Sequence, residues 1–314
     1  MLKNYYVSAN TAEGYIDLLS SNLHGIKETI ELESHSYQMN TKILQQLIEQ
    51  YKDKTPVEVL KSPISERYVE GIILREKEVA IIGERKSPFT TEAYEQFKQG
   101  LRIHDNLEKV YIQEMDFTKA NQLADDFTEK LLANESKIGR TPHIYRRLFG
   151  TNTVDGVVNE VPNLTEHLKQ VYHIKGRAGT GKSTFMKRVA EACLNHGFDL
   201  EIYHCSFDPN SIDMVLIPAL QICLFDSTDP HRFEPQDTSR EVIIDLYEET
   251  VTPGTDEKYA EEINKLTKEY KSFMKKGLAV IKAEGEKIIA ADDKRPFSQM
   301  EVDGIVSELQ AKIN

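Results

Sequence analysis

One segment of the sequence constrains the fold more than any other, the glycine-rich stretch GRAGTGKS at 176–183. It follows a short apolar segment, VYHIK at 171–175, and it precedes residues 183–195, in which the apolar positions keep helical spacing. Gly197 stands where a helix of that length would end. The order of these segments therefore predicts a strand, a tight loop and a helix.

Two further apolar segments follow this helix along the chain. Residues 199–205 (DLEIYHC) and 220–225 (LQICLF) have the length and composition of strands, and polar turn residues come after each of them. A strand, a helix and a strand in succession imply a parallel sheet with covering helices. We therefore expect an α/β fold, with another helix over the Lys- and Glu-rich residues 257–287.

The glycine-rich stretch has the chemistry of an anion-binding loop. Backbone N–H groups converge on one anion only in conformations that side chains hinder, which explains the glycines. The loop leads into a helix N-terminus, whose unpaired N–H groups favour phosphate. Lys182 would then hold the β and γ phosphates of a nucleotide, and the hydroxyl of Ser183 would bind Mg²⁺. The predicted binding residues are Gly176, Arg177, Ala178, Gly179, Thr180, Gly181, Lys182, Ser183 and Thr184.

This strand, loop and helix resemble the P-loop NTPases, whose phosphate loop reads G-x-x-x-x-G-K-[ST]. In that family an acidic residue at the end of an apolar strand helps to hold Mg²⁺. Asp226 ends the apolar run 222–225 and matches that position, and Asp229 is the weaker alternative. The resemblance implies ATP and Mg²⁺ as cofactors, with Ser183 and Asp226 as metal ligands and Lys182 and Asp226 as catalytic residues.

A third requirement is a group that positions or deprotonates the attacking water or hydroxyl. Asp208 and Asp213 follow the second predicted strand, and that end of a parallel sheet lies beside the phosphate loop. Both are therefore candidate catalytic residues, and turn formation or helix capping is the alternative explanation for them. The arginines that could stabilise charge on the γ-phosphate are Arg177, Arg146, Arg147 and Arg232, and the sequence does not rank them.

The first half of the chain repeats the plan of the second half. A shift of 142 positions places Asn10-Thr11 on Asn152-Thr153 and residues 30–33 on the strand at 172–175. With one residue of slip, the apolar runs at 71–74 and 79–83 fall on 214–217 and 222–226. Because three separated blocks keep their order, the third being FKQGL (97–101) against FMKKGL (273–278), we predict an internal duplication.

The first repeat lacks a competent phosphate loop. Its SHSYQMNT (34–41) stands in place of GRAGTGKS, so that Ser34 and Met39 replace glycines and Asn40 replaces the lysine. Thr41 retains the hydroxyl of Ser183, and Gly83 takes the place of Asp226. The predicted architecture is two P-loop NTPase-like three-layer α/β/α units with mainly parallel sheets. Residues 1–135 would form the degenerate repeat, 136–147 a linker, and 148–314 the competent repeat with a C-terminal helical extension.

The composition narrows the partners and the compartment. Lys and Arg number 39 against 51 Asp and Glu, and the resulting net charge of −12 argues against nucleic acid as a partner. No apolar run approaches the roughly 18 residues of a membrane span, so we expect no membrane partner. Three cysteines without paired spacing fit a reducing compartment, so we expect a cytoplasmic location. The degenerate half could bind a protein partner or mediate self-association.

Three functions remain open at this point. The whole chain is similar to a bacterial family of tandem P-loop proteins described as ATPases or nucleotide kinases, a resemblance carried by GRAGTGKS, HCSFDPNSID (204–213) and LFDSTDPH (224–231). The leading expectation is a Mg²⁺-dependent ATPase that binds one nucleotide per chain. The alternatives are a kinase of nucleotides or other small molecules, and a non-catalytic module whose conformation responds to nucleotide.

Overall fold

The computed structural model describes residues 1–33, 36–85, 87, 89–230 and 232–313. Ser34 and His231, which belong to segments discussed above, lie outside the described residues. The chain divides into two compact units. The first unit comprises Met1–Tyr94, Arg147–Leu164 and Gly277–Asn314, and the second comprises Glu95–Arg146 and Thr165–Lys276.

The helices and strands alternate along the chain. In chain order they are β1 (Leu2–Tyr5), β2 (Ser8–Thr11), β3 (Gly14–Asp17), α1 (Leu19–Asn22), β4 (Glu28–Glu31), α2 (Tyr37–Tyr51), β5 (Val57–Lys61), β6 (Val69–Leu74), β7 (Val79–Ile82), α3 (Thr91–Ile112), α4 (Phe117–Leu132), β8 (Ile144–Arg147), β9 (Gly150–Thr153), β10 (Gly156–Asn159), α5 (Val161–Thr165), β11 (Gln170–Lys175), α6 (Lys182–Asn195), β12 (Leu200–His204), β13 (Ile212–Ile217), β14 (Ile222–Asp226), β15 (Glu241–Asp245), α7 (Leu246–Thr250), α8 (Thr255–Lys258), α9 (Ala260–Asp292) and α10 (Gln299–Ile313). A short 3₁₀ turn, Arg75–Lys77, joins β6 to β7.

The two large sheets are mixed rather than wholly parallel. Among the described residues, the first joins β1, β5, β6, β7 and β4 in that order, and the second joins β8, β12, β13, β14, β11 and β15. β6 is antiparallel to both of its neighbours, whereas β1 with β5 and β7 with β4 are parallel. In the second sheet β13 is antiparallel to both neighbours, and β14, β11 and β15 are parallel. The predicted α/β fold is confirmed.

β13 is not among the strands predicted from the sequence. It follows β12 after the turn Asp208–Ser211, which the Ser211 N–H closes by donating to the Asp208 carbonyl at 3.0 Å. A connection this short allows only an antiparallel return, because a parallel neighbour needs a long crossover. The hairpin therefore brings the first residues of β13 to the same sheet edge as the last residues of β12 and β14.

The two sheets agree with the predicted repeat. Reading from β1 and from β8, the strand orders coincide, and β15 is an additional strand at the end of the second sheet. β4 begins at Glu28 and β11 at Gln170, a separation of 142 positions. Asn10 and Asn152 also exchange equivalent bonds, since each side-chain amide donates to the main-chain carbonyl of the other, at 2.9 and 3.0 Å.

Each unit contains a helix that the sequence assigns to the other repeat. In the first unit α10 packs on α2, and Val302, Val306 and Leu309 are buried in one core with Ile43 and Leu47. In the second unit α4 packs on α6, and its core includes Ala124 and Leu132 beside Phe185 and Val189. The residues from α4 and α10 recur at helical spacing, so each helix presents one apolar face to the sheet-bound helix.

The compact units divide the chain differently from the predicted boundaries. The division into 1–135 and 148–314 follows the repeat, whereas the compact units follow the packing of the helices. The segment 136–147 is not a free linker either, because its last residues form β8. Arg140 also binds both carboxylate oxygens of Asp199, at 2.7 Å each. None of the described helices combines the length and the apolar character needed to cross a membrane.

Candidate functional site

The loop between β11 and α6 turns sharply at its glycines. Gly179 and Gly181 have φ values of +73° and +80°, in the left-handed region that other residues seldom adopt. Gly181 is the N-cap of α6, and no side chain within the described part of the chain caps that helix. The first N–H groups of α6 at Lys182, Ser183 and Thr184 therefore stand at an uncapped N-terminus.

Close packing requires two of the glycines to remain without a side chain. A Cβ atom on Gly179 would lie 2.4 Å from the main-chain oxygen of Glu108, and one on Gly176 would lie 2.4 Å from the Thr180 hydroxyl oxygen. Thr180 is buried, Ala178 is half-buried, and the Thr184 side chain is exposed. Arg177 is also exposed, and its guanidinium pairs with Asp256 outside the loop.

Lys182 lies between the loop and the end of β14. Its ammonium donates to the Arg177 carbonyl at 2.7 Å and lies 3.6 Å from the Asp226 carboxylate. Only 11% of its side chain is exposed, so the charge is largely desolvated and interacts strongly with nearby anions. The predicted pair of Lys182 and Asp226 is thus brought together by the adjacent strands β11 and β14.

The side-chain oxygens of Ser183 and Asp226, the predicted metal ligands, each accept a main-chain N–H group. The Ser183 hydroxyl accepts the N–H of Ile212 at 3.1 Å, and Asp226 accepts the N–H of Thr228 at 3.0 Å. Among the described residues no group of three or more His, Cys, Asp or Glu could hold a metal by itself. Mg²⁺ commonly uses one or two protein oxygens together with substrate phosphates, and Ser183 and Asp226 each carry an oxygen of that kind.

Asp213 is the second carboxylate at this sheet edge. It is buried near the start of β13, and its burial, followed by repulsion from Asp226, raises its pKa well above the usual carboxyl range. Asp208 is half-buried in the turn before β13, where it accepts the N–H of Asn210 at 3.1 Å. The charge of Asp208 also raises the pKa of Asp213. Asp226 therefore lies beside the Lys182 ammonium, and the charges of Asp226, Lys182 and Asp208 all act on Asp213.

The other predicted residues are engaged elsewhere. Asp229 is exposed and pairs with Lys271 at 2.9 Å. In the second unit, Arg146 bonds His204 at 3.2 Å and Arg232 pairs with Glu234 at 3.0 Å. In the first unit, Arg147 is buried, pairs with Glu58 at 3.0 Å and stacks on the Tyr5 ring at 3.9 Å. Each of these three arginines therefore has a partner outside the phosphate loop.

Sequence reasoning missed the residues that α3 and the turn after it contribute to this site. The Glu108 main chain packs on Gly179, and the methyl group of Met115 lies 3.4 Å from where a Cβ of Gly181 would stand. His104 contacts Tyr270 and lies near Lys182, and its burial, followed by the Lys182 charge, lowers its pKa. The match of FKQGL to FMKKGL signals paired helices in the two repeats, but it does not indicate which sheet each helix packs on.

The first unit retains part of the same arrangement. The Thr41 hydroxyl accepts the N–H of Val69 at 3.0 Å, as Ser183 accepts that of Ile212. Gly83 lies against Asn40, with its Cβ position 3.4 Å from the Asn40 side-chain nitrogen, as Asp226 lies beside Lys182. Burial raises the pKa of Glu70, which stands where β13 has Asp213, to about 7.

The N-terminus of α2, however, is closed. α2 begins at Tyr37, so that a helical turn occupies the positions that align with Gly179–Gly181. The N–H groups of Tyr37 and Gln38 donate to the Asp292 carboxylate at 3.0 and 2.8 Å, and that of Met39 donates to the Ser36 hydroxyl at 3.2 Å. Asp292 is buried. The donors that α6 leaves uncapped are therefore satisfied within the protein in α2.

Comparison with known proteins adds no assignment to this geometry. No protein-family description, curated protein or solved structure matches the chain.

Proposed function

We propose that the chain is a Mg²⁺-dependent ATPase whose single nucleotide site lies in the second unit. The observation that carries the proposal is the uncapped N-terminus of α6, with the desolvated Lys182 ammonium 3.6 Å from Asp226. An anion at this N-terminus would meet the first N–H groups of α6 and one cation together. The α2 N-terminus offers no such anion-binding site, because its first N–H groups already donate to Asp292 and Ser36.

The surrounding carboxylates indicate why a divalent cation would be needed. Asp226 lies 3.6 Å from the Lys182 ammonium, and the charges of Asp226 and Asp208 both act on the buried Asp213, so a bare triphosphate would meet repulsion here. Mg²⁺ would neutralise charge on the phosphates, with Ser183 and Asp226 as its protein oxygen ligands. ATP is proposed over GTP because the base-reading motif N-K-x-D is not present in the sequence.

The residues of the loop would stabilise the transferring phosphoryl group. The loop N–H groups and the Lys182 ammonium would bear its charge, and none of Arg146, Arg147 and Arg232 adds to them. Because Arg146 and Arg232 are paired with other residues of the second unit, we expect slow hydrolysis. Asp213 would accept a proton from the attacking water, because its raised pKa lets a carboxylate take up a proton near neutral pH.

We further propose that each unit derives from a three-layer P-loop NTPase ancestor, as the resemblance to tandem P-loop proteins implies. The common strand order of the two sheets supports this origin. A cytoplasmic location is part of the same proposal, and it is supported by three free cysteines, Cys193, Cys205 and Cys223. The first unit would then be a scaffold without a nucleotide of its own.

Calorimetric titration of the full chain with Mg²⁺ and a non-hydrolysable ATP analogue tests the site. We expect one analogue per chain, and Lys182→Ala should weaken its affinity by about 10- to 100-fold, the value of a charge-assisted bond. The matched control is Lys187→Ala on the same helix, whose ammonium instead donates to the Asn210 carbonyl. Two equivalent sites, or equal losses in both variants, would contradict the proposal.

A small-molecule kinase is the second candidate function, and the buried Asp213 favours it as much as it favours hydrolysis. A carboxylate of raised pKa can accept a proton from an acceptor hydroxyl as well as from water. Turnover with a panel of hydroxyl acceptors separates the two functions, since a kinase forms phosphorylated acceptor faster than free phosphate. Binding without turnover of either kind would support the non-catalytic module instead.

A further inference from the structure

The side chain of Arg177 is held away from the centre of the phosphate loop. Its Nε and Nη2 atoms donate to Oδ2 of Asp256 at 3.2 and 2.9 Å, and its guanidinium lies 4.7 Å from the centroid of the Tyr247 ring. The other carboxylate oxygen of Asp256 accepts the Tyr111 hydroxyl at 2.9 Å. Both oxygens of Asp256 are thus engaged, and the positive charge of Arg177 is matched by a carboxylate.

The main chain of the same residue supports the inside of the loop. The Arg177 carbonyl accepts the Lys182 ammonium at 2.7 Å and the Thr180 hydroxyl at 2.9 Å. The Thr180 N–H also points at this oxygen, at 3.4 Å. Arg177 is therefore the residue through which the outer cluster of Tyr111, Tyr247 and Asp256 connects to the catalytic lysine.

We infer that Asp256 is a positioning residue of the nucleotide site, which acts through Arg177 to fix the loop and the Lys182 ammonium. This inference rests on the proposed function and assigns to α8 a role that the repeat pattern does not indicate. Asp256 itself would touch neither the nucleotide nor the reacting atoms. Arg177 in turn would serve as the anchor of the loop and not as the arginine that meets the γ-phosphate.

Exposure separates this role from a purely structural one. The Arg177 side chain is 47% exposed and that of Asp256 is 33% exposed. Ion pairs this close to solvent contribute little to folding stability, because water screens the charges and two side chains lose freedom. Loss of the pair should therefore change nucleotide affinity while the unfolding temperature changes little.

A double-mutant cycle on the full chain tests the inference. The variants are Asp256→Ala, Arg177→Ala and both together, titrated with Mg²⁺ and a non-hydrolysable ATP analogue. We expect each single variant to bind about tenfold more weakly, and the double variant to bind no more weakly than either, because one pathway is removed twice. The matched control is Asp237→Ala, which removes an exposed pair with Arg240 (3.5 Å) in the same unit.

Thermal unfolding of the same variants completes the test. The unfolding temperature should fall by less than about 4 °C in each single variant, as for the control. Wild-type affinity in Asp256→Ala, or additive losses in the double variant, would overturn the inference while leaving the proposed nucleotide site intact. Failure of the wild-type chain to bind the analogue would instead overturn the proposed function, and the inference with it.

Discussion

At the scale of single residues, a loop glycine restricts the candidate nucleotide site, and a buried carboxyl group lies at the equivalent place in each of the two large sheets. Gly179 combines a positive φ with contact to the Glu108 main chain, so both its conformation and its packing exclude a side chain. Buried carboxyl groups lie near the starts of the equivalent strands, Asp213 in the second unit and Glu70 in the first. The requirement for glycine therefore concerns the loop of the second unit, whereas a buried carboxyl group is present in both repeats.

Gly179→Ala should remove nucleotide binding and destabilise the second unit. The added Cβ would lie 2.4 Å from the Glu108 oxygen in a backbone region unfavourable to alanine, at a cost of about 1–3 kcal/mol. Urea denaturation and analogue titration measure the two effects. Gly139→Ala is the control, because open space surrounds its Cβ position. Equal stability of the two variants would refute the packing described here.

Glu70→Gln should make the stability of the chain less sensitive to pH. Burial raises the folded-state pKa of Glu70 from 4.5 to about 7, so its contribution to stability is fully present below about pH 4.5 and is lost as the pH rises through 7. Glutamine does not ionise and so does not lose this contribution. The free energy of unfolding of the variant, relative to that of the wild type, should therefore increase by about 2–3 kcal/mol between about pH 5 and pH 8.

Urea denaturation at the two pH values measures this gain. The control is Glu49→Gln on α2, which replaces a carboxylate that is 67% exposed instead of a buried one. A gain of the same size in the control would show that burial of Glu70 is not the cause. If the stability of Glu70→Gln relative to the wild type were larger at the lower pH than at the higher pH, the predicted effect would be contradicted.

The sequence predicted these residues unevenly. The loop glycines, Lys182 and Ser183 follow from a local pattern, because the chemistry of phosphate binding fixes their spacing, whereas Asp226 follows from the resemblance to P-loop proteins. Glu108, Tyr111 and Asp256 could not be predicted, since they reach the loop only through packing between distant segments. Asp213 was named for its position after a strand, but its place on β13 depends on a hairpin that the polar segment 204–213 conceals.

At the scale of elements, the two helix N-termini at equivalent positions of the predicted repeat differ, because one is uncapped and the other is capped. α6 begins uncapped after a glycine loop, and α2 begins about a turn earlier, under Ser36 and Asp292. The sequence predicted that the first loop is degenerate. It could not predict that a carboxylate from the last turn of α9 would take up the N–H groups of α2.

Asp292→Ala should loosen the first turn of α2. It removes the acceptor of two partly buried N–H groups, and an unsatisfied group costs at most about 1–3 kcal/mol. Hydrogen exchange should accelerate at residues 37–39 but not at 182–184. The control is Asp293→Ala, because Asp293 is exposed and pairs with Arg67. Unchanged exchange at Tyr37 and Gln38 would contradict the capping role of Asp292.

At the scale of the whole molecule, the repeat in sequence and the units in space do not coincide. α10 buries Val302, Val306, Leu309 and Ile313 in the core of the first unit, at 0–5% exposure. At about 1.5–3 kcal/mol for each buried side chain, this face contributes about 6–12 kcal/mol as an upper bound. That equals most of the net stability of a typical domain. α4 provides a corresponding face in the second unit.

Neither predicted half should therefore fold when produced alone. Residues 1–135 lack α10, β9 and β10 of the first unit, and residues 148–314 lack α3, α4 and β8 of the second.

Circular dichroism should show no cooperative unfolding of either fragment, and residues 148–314 should not bind the ATP analogue. Residues 1–135 produced together with residues 136–314, which include β8, should copurify and unfold cooperatively, because each fragment supplies helices that the other lacks. As a control, the full chain cut by a protease at a site inserted near Glu135 should retain both properties. If residues 148–314 alone fold and bind nucleotide, the helix exchange is not needed for the site, and the repeat itself is the folding unit.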